Sequence, residues 1–257
     1  MPNDLFSLEG KTAVVIGGGG VLAGAMASGF ADAGAGVAVL DLNATNAETR
    51  AATIRSAGGH AIGIGCDATR KANLSRALEI VLQEFGSADI LLNAAGINSA
   101  TPFFEITEEE WQRILDVNLK SMVLACQVFG KHMVDGGRGG SIINISSASS
   151  GPPLSKVFTY SITKGGVNQL TQFLAREFAP FGVRVNALAP GFIPAEQNRK
   201  VLTPERVAKI MGHTPAARFG EPSEMVGAVI WLASERAASF VTGAIIRVDG
   251  GFTAMTI

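Results

Sequence analysis

Tyr160 and Lys164, in the stretch Y-S-I-T-K, are the residues whose types and spacing most directly suggest chemistry. Tyr160 is the only tyrosine among 257 residues. In a helix, positions i and i+4 share one face, which would place the lysine ammonium beside the phenol. A nearby positive charge lowers the pKa of a tyrosine, so the pair could transfer protons near neutral pH. On spacing alone, an ordinary helix surface with a solvated lysine is the alternative.

The elements that must position this pair follow a repeated βα pattern, in which short β-rich runs alternate with segments of helical period. Strands are predicted at residues 11–16, 36–42, 60–66, 89–95, 140–146, 182–189 and 244–250. Helices are predicted at residues 22–33, 44–56, 73–85, 108–133, 158–178 and 223–233. The pattern predicts an α/β fold of the Rossmann type: a doubly wound, seven-stranded parallel sheet with helices on both faces.

A single domain over residues 1–257 is expected, because no linker or low-complexity segment divides the chain. The one long irregular segment, residues 189–220, contains four prolines and follows the predicted sixth strand. Loops over a ligand emerge from the carboxyl ends of strands, so a substrate loop is predicted at about residues 190–220.

Composition argues against several classes of function. The 21 basic and 22 acidic residues are nearly balanced without a basic run, which makes nucleic acid an improbable ligand. No signal peptide and no apolar stretch of roughly 18 residues is present, so no membrane association is expected. The two cysteines and three histidines lack ligand spacing, which predicts a reduced, cytoplasmic protein without a metal: Cys66, Cys126, His60, His132 and His213.

A nucleotide site is indicated by the glycine-rich turn Gly17–Gly24, which links the first strand to a helix. Glycines there allow close approach of a pyrophosphate to the helix N-terminus, although a flexible glycine turn is the alternative. The next strand ends in Asp41, whose carboxylate could bind the adenosine ribose and repel a 2′-phosphate, so NAD is favoured over NADP. Asp67, at the end of the third strand, could face the adenine edge or simply cap a loop.

Several further motifs lie at matching places along the chain. They are N-A-A-G at 93–96, D-V-N at 116–118, N-I-S-S ending at Ser147, A-P-G at 189–191 and V-D-G-G near the C-terminus. Ser147 precedes Tyr160 by thirteen residues. With the glycine turn and the Tyr160–Lys164 pair, these motifs resemble the short-chain dehydrogenase/reductase family over nearly the whole length.

The resemblance implies a role for each matching residue. Tyr160 would be the general acid or base, and Lys164 would lower its pKa and hold the nicotinamide ribose. Ser147 would hydrogen-bond the substrate oxygen, while Asn118 would hold a water that links Lys164 to solvent. Together with Tyr160 and Lys164, the residues expected to bind the cofactor are Gly17, Gly19, Gly20, Val21, Leu22, Asp41, Leu42, Cys66, Asp67, Asn93, Ala94, Ala95, Gly96, Pro190, Gly191 and Ile193.

The first turn departs from the family pattern T-G-x-x-x-G-x-G. Ile16 replaces the threonine, while Val21 and Ala23 replace the second and third glycines. Gly17 is retained, and Gly20 could allow the close approach. The departure leaves open which backbone N–H groups meet the pyrophosphate.

The predicted substrate loop reads P-G-F-I-P-A-E-Q-N-R from Pro190 and H-T-P-A-A-R-F-G from His213. Together with G-G-G-G-V-L-A-G-A-M-A in the first turn, these segments resemble a subgroup acting on sugar acids, of the D-mannonate oxidoreductase or fructuronate reductase type. Expected substrate contacts are Asn98, Gln197, Asn198 and Arg199, because hydroxyls and a carboxylate suit amides and an arginine fork. A solvated helix start at Glu196–Arg199 is the alternative. Other functions left open are a ketone or 3-oxoacyl reductase and a non-catalytic nucleotide-binding regulator. The resemblance also implies a homodimer or homotetramer.

Overall fold

The computed structural model describes residues 5–152, 154–194 and 202–255. Within those ranges the strands are β1 Thr12–Ile16, β2 Gly36–Asp41, β3 Ala61–Gly65, β4 Ile90–Asn93, β5 Gly140–Ile145, β6 Val183–Pro190 and β7 Ile245–Val248. The α-helices are α1 Val21–Asp32, α2 Ala44–Ser56, α3 Lys71–Phe85, α4 Glu108–Leu115, α5 Ser121–Ala125, α6 Lys131–Gly136, α7 Phe158–Phe178, α8 Pro204–Gly212, α9 Val226–Ala233 and α10 Glu235–Ala238. Short 3₁₀ turns lie at Phe103–Glu105, Ala148–Ser150, Ala179–Phe181, Pro222–Met225 and Phe252–Ala254.

The seven strands form one parallel sheet in the order β3-β2-β1-β4-β5-β6-β7. Val14 in β1 lies opposite Ala38 in β2 on one side and Leu91 in β4 on the other. The chain therefore winds outward in both directions from the β1/β4 boundary, and the carboxyl ends of these strands open a crevice there. The predicted Rossmann-type sheet is confirmed.

Both faces of the sheet are buried, which explains the apolar runs in its strands. Ala13 and Val15 of β1 belong to the core beneath α1 and α9, whereas Val14 and Ile16 belong to the core beneath α3, α7 and the helices after β4. The alternation follows from the two-residue repeat of a strand. Helices thus cover each face, as the parallel pairing requires.

The helix predicted at 108–133 extends to Gly136. Its segments α4, α5 and α6 are joined by π-helical turns at Asp116–Lys120 and Cys126–Gly130. Thr107 caps its start by accepting a hydrogen bond from the backbone N–H of Glu110 at 3.2 Å. π-Helical turns often accompany functional sites, and the first of these carries Asn118.

One predicted irregular region contains a helix. Within residues 189–220, α8 begins after Thr203, whose hydroxyl accepts from the N–H of Arg206 at 3.3 Å. Pro204 occupies the first helical position, where its missing N–H costs nothing. The sequence T-P-E at 203–205 carried this start signal, and the expectation of an irregular loop throughout was wrong.

The longest described helix without π-helical turns is α7, with 21 residues. Thr163 and Lys164 on this helix are buried, so its inner face is partly polar. Across the described ranges, no helix is both long and apolar enough to cross a membrane.

Candidate active site

A cleft of about 510 Å³ opens at the carboxyl ends of the central strands. It lies at the β1/β4 boundary, where doubly wound sheets bind their ligands. Most of the site residues predicted from the sequence line this cleft: Gly17, Gly20, Val21, Leu22, Asp41, Leu42, Cys66, Asp67, Ala94, Ala95, Gly96, Asn98, Ser147, Tyr160, Lys164, Pro190, Gly191 and Ile193. The fold therefore brings together residues separated by up to 176 positions in sequence.

The glycine turn lies close against the loop that follows β4. Gly17 has a φ of +78°, and a Cβ on it would lie 2.8 Å from the backbone N and Cα of Ala95. No other residue type fits that conformation and that distance without a shift. Gly20 precedes α1 and offers no capping side chain, so the helix N-terminus faces the cleft without an internal cap. This turn suits a phosphate group.

Asp41 connects the glycine turn to the end of β2. Its Oδ2 accepts from the N–H of Gly19 at 3.1 Å, and its Oδ1 accepts from the N–H of Asn43 at 2.9 Å. Each carboxylate oxygen has a second lone pair for a ligand hydroxyl. Gly19 itself does not line the cleft, and it contributes by holding Asp41.

Cys66 and Asp67 form the wall beyond β3. Burial raises the pKa of the Cys66 thiol to about 11, so the thiol stays protonated. Asp67 accepts from both the hydroxyl and the N–H of Thr69, at 2.6 and 3.0 Å, and the hydroxyl bond holds its carboxyl pKa below the usual range. Asp67 therefore caps its loop while also lining the cleft, so the two sequence interpretations are compatible.

The turn of α7 that carries Tyr160 and Lys164 faces the segment after β5 that carries Ser147. The Ser147 Oγ accepts from the Ser149 N–H at 3.2 Å and from the Ser149 hydroxyl at 3.1 Å, and a hydrogen bond joins it to Tyr160. With both acceptor positions taken, the Ser147 proton can be donated to Tyr160 or to a ligand.

The pKa of Tyr160 is raised in this structure, whereas the spacing of Tyr160 and Lys164 predicts a lowered value. The Lys164 Nζ donates to the Ile145 carbonyl at 2.7 Å and lies 5.4 Å from the centroid of the tyrosine ring. Burial lowers the pKa of Lys164 to about 8, and burial raises the pKa of Tyr160 against the opposing effect of its Ser147 hydrogen bond. Desolvation therefore dominates both groups and favours their neutral forms.

Asn118 lies behind the cleft and not on its lining. Its Oδ1 accepts from the Ile97 N–H at 2.8 Å, while its Nδ2 donates to the Ile97 carbonyl at 2.9 Å and to the Thr163 hydroxyl at 3.2 Å. Both amide donors are thus used within the protein. The side chain braces the loop after β4 against α7, a role that the water-holding expectation did not include.

Asn93 also turns away from the cleft. Its Nδ2 donates to Asn144 Oδ1 at 2.8 Å within the buried layer between the sheet and α7. The adjacent residues Ala94, Ala95 and Gly96 supply the cleft wall instead. Asn93 is the last residue of β4 and its side chain is buried, whereas Ala94, Ala95 and Gly96 belong to the loop that follows the strand.

The substrate end of the cleft was only partly predicted. Asn98 lines it, whereas Gln197, Asn198 and Arg199 lie outside the described residues. Lining residues that sequence reasoning missed include Ser149, Leu154, Val157, Leu202, Arg206 and Phe219. Recognising α8 from its T-P-E start would have drawn attention to Arg206.

Among the described residues, no cluster of three or more metal-ligating side chains is found.

The buried lysine predicts an unusual dependence of stability on pH. Lys164 titrates near 10.5 when unfolded but at about 8 when folded. Between these values the unfolded chain binds the extra proton, so this group raises the free energy of unfolding as pH increases. From pH 7.5 to 9.5, the cofactor-free protein should gain about 1–2 kcal/mol relative to Lys164→Met, measured by urea unfolding. A difference independent of pH would contradict the lowered pKa.

The chain belongs to the short-chain dehydrogenase/reductase family. The family model described as enoyl-(acyl carrier protein) reductase matches residues 20–253. The fold, the cleft and this match together define an NAD(P)-dependent oxidoreductase that interconverts carbonyl and alcohol groups.

Among similar proteins, the D-threitol dehydrogenase of Mycolicibacterium smegmatis is 36% identical over 96% of this chain and 95% of its own. The gluconate 5-dehydrogenase of Burkholderia cenocepacia, solved with NADP and tartrate, is 34% identical with a TM-score of 0.95 and full coverage of both chains. A candidate D-mannonate oxidoreductase from Haemophilus influenzae, solved with NAD, is 33% identical with a TM-score of 0.92, over 100% of this chain and 99% of that one.

The residues present fit a nicotinamide dinucleotide. The glycine turn leaves backbone space beside the N-terminus of α1, the Asp41 carboxylate lines the cleft next to that turn, and Lys164 is buried near Gly96. A Cβ on Gly96 would lie 3.8 Å from the lysine Nζ, an ordinary contact distance, so Gly96 borders the lysine end of the cleft.

Proposed function

We propose that this protein interconverts a ketone and a secondary alcohol on a polyhydroxy acid, with NAD preferred as cofactor. The observation that carries the proposal is the convergence of Ser147, Tyr160 and Lys164 in one cleft with the glycine turn and Asp41. Proton transfer groups lie at one end of the cleft and nucleotide-binding features at the other.

A nicotinamide dinucleotide held by the glycine turn and Asp41 would supply or accept a hydride. In the reducing direction, Tyr160 donates its phenolic proton to the carbonyl oxygen, and the raised pKa keeps that proton in place until it is needed. Ser147 donates a hydrogen bond to the same oxygen as negative charge develops there. Lys164, once protonated, stabilises the phenolate that remains. Asn118 keeps the loop after β4 and α7 in fixed relation.

The preference for NAD rests on the charges around the end of β2. The Asp41 carboxylate would repel a ribose 2′-phosphate, and the next residue, Leu42, is apolar and exposed. Arg50, the nearest arginine along the chain, packs its guanidinium over Gly24 of α1 and does not line the cleft. No described lining residue at this end offers a cation to a 2′-phosphate.

A polyhydroxy substrate is supported by the relatives, of which two are named for the acids gluconate and D-mannonate and one for the neutral polyol threitol. A second candidate is a less polar ketone or 3-oxoacyl group. The observation favouring it is the apolar wall formed by Leu154, Val157, Leu202 and Phe219 at the substrate end.

A substrate panel tests the proposal. Reduced cofactor is mixed with fructuronate, tagaturonate, 5-ketogluconate, neutral ketoses and a 3-oxoacyl thioester, and nicotinamide absorbance is followed with NADH and NADPH. The proposal expects the fastest turnover with NADH and a keto acid. Faster turnover of the thioester, or of a simple apolar ketone, would support the second candidate instead.

We also propose that the protein assembles as a homodimer or homotetramer. Large apolar side chains are exposed on and beside α7, including Phe104 at 98%, Phe173 at 60% and Phe181 at 52% of their accessible area. Where exposed apolar side chains form a contiguous patch, the patch marks a protein–protein contact. Light scattering gives the mass directly, and a monomer at micromolar concentration would contradict the assembly.

A further inference from the structure

The charged groups lining the cleft are divided between its two ends. Asp41 and Asp67 lie beyond β2 and β3, at the nucleotide end. Lys164 lines the cleft with Ser147 and Tyr160, and Arg206 also lines it, bonded to Ser155 shortly before α7. Lys164 is assigned to proton transfer. Among the described lining residues, Arg206 is the other cation, and it could bind a charged group of the substrate.

Arg206 reaches the cleft from α8 and contacts the segment before α7. Its Nη2 donates to the Ser155 carbonyl at 2.9 Å, and its Nη1 lies 3.4 Å from the Ser155 hydroxyl. Both partners are neutral. Within the described part of the chain, no carboxylate forms an ion pair with Arg206.

Two neighbouring cations are already neutralised. Arg218 forms a two-point pair with the Glu224 carboxylate, at 2.6 and 2.8 Å. Lys209 on α8 pairs with Glu205 at 2.8 Å. Arg206 is therefore a partly buried residue whose guanidinium has no carboxylate partner among the described residues, and it lies beside apolar walls that include Leu154 and Leu202. A charge partly removed from water is stabilised by an opposite charge, and a carboxylate matches the guanidinium fork.

We propose that Arg206 binds the carboxylate of the substrate and thereby selects acids over neutral polyols. The inference rests on the proposed function and names the group that reads the acid. The five N–H donors of a guanidinium allow Arg206 to hold a carboxylate while keeping its bond to the Ser155 carbonyl. Arg206 is then a specificity-determining residue and takes no part in proton transfer.

Pairs of substrates that differ only in one charged group distinguish carboxylate binding from a purely structural role, in which Arg206 joins α8 to Ser155. D-gluconate and D-glucitol, or D-mannonate and D-mannitol, differ in having a carboxylate or a hydroxymethyl group at one end. Arg206→Gln should lower kcat/KM for the better aldonate about 10- to 100-fold, mainly through KM, because a charge-assisted hydrogen bond is lost. The alditol should change by less than about threefold, since it lacks the charged group.

Lys209→Gln is the matched control, because it removes one charge from the same helix outside the cleft. It should leave both substrates within about twofold, as expected for an exposed ion pair. Arg206→Lys keeps the charge but loses the fork, and it should recover part of the aldonate activity. Calorimetric binding of the aldonate to the enzyme–NADH complex, where no reaction occurs, should weaken in parallel with KM.

If Arg206→Gln lowers kcat/KM equally for the acid and the alditol, the role of Arg206 is purely structural and the proposal is overturned. Unchanged aldonate kinetics, or a wild-type enzyme that does not prefer acids, would also overturn it. If the enzyme turns over alditols without preferring acids, and this turnover requires Tyr160, the Arg206 proposal fails but the oxidoreductase function holds. Failure of the Arg206 proposal can therefore be distinguished from failure of the proposed function.

Discussion

Replacing Tyr160 with phenylalanine should lower kcat by roughly 1,000-fold or more, since a positioned general acid contributes about 10²–10⁴ in rate. The substitution removes the hydroxyl that is hydrogen-bonded to Ser147 and keeps the ring. Lys164 retains its bond to the Ile145 carbonyl, so the cofactor end should stay intact. Kd for NADH, from fluorescence titration, should therefore change by less than about threefold.

Ser149→Ala is the control for Tyr160→Phe. Ser149 also lines the cleft and bonds Ser147, but nothing assigns it a proton-transfer role. Removing the Ser149 hydroxyl should lower kcat by less than about tenfold, because only a neutral hydrogen bond is lost. More than a tenth of wild-type activity in Tyr160→Phe would show that another group donates the proton.

Replacing Asp41 with asparagine should shift the ratio of kcat/KM for NAD to that for NADP by about 10- to 100-fold towards NADP. The physical reason is the loss of a negative charge beside the ribose 2′ position. Because Asp41 also accepts from Gly19 and Asn43, Asp41→Ala would disturb the turn itself. Asparagine keeps one acceptor oxygen, so Asp41→Asn tests the effect of the negative charge with less disturbance of the turn than Asp41→Ala.

Asp67→Asn provides the comparison, because it removes the same charge from the next strand end. Its carboxylate is engaged by Thr69, so its substitution should affect loop stability more than cofactor choice. An unchanged NAD-to-NADP ratio in Asp41→Asn would indicate that a different group reads the ribose. A larger shift in Asp67→Asn would assign that group to the third strand.

Local sequence signals predicted the fold well, because strand and helix periods are properties of short segments. The runs at 11–16 and 89–95 contain β1 and β4, and their uniform burial follows from helices on both faces. The Tyr160–Lys164 spacing placed both residues on one turn of α7, and the thirteen-residue interval identified Ser147. Their common location in the cleft follows from the sheet order.

Tertiary contacts determined what local signals could not. Asn118 uses both amide donors on Ile97 and Thr163, partners that are 21 and 45 residues away. The pKa values of Tyr160 and Lys164 depend on burial produced by the whole fold, which the spacing of the two residues does not reveal. Arg206 was not identified from the sequence, because it lies on α8, within a proline-containing segment that was predicted to be irregular.

Isotope transfer tests the central claim most directly. Enzyme is mixed in a single turnover with NADH deuterated at the reactive C4 position and with the best keto acid, and the product is weighed by mass spectrometry. The account predicts one deuterium in the hydroxy acid formed by the wild type. Tyr160→Phe should bind the same cofactor and form almost no labelled product. Product without the label, or equal labelling by Tyr160→Phe, would contradict a nicotinamide-dependent reduction with Tyr160 as its acid.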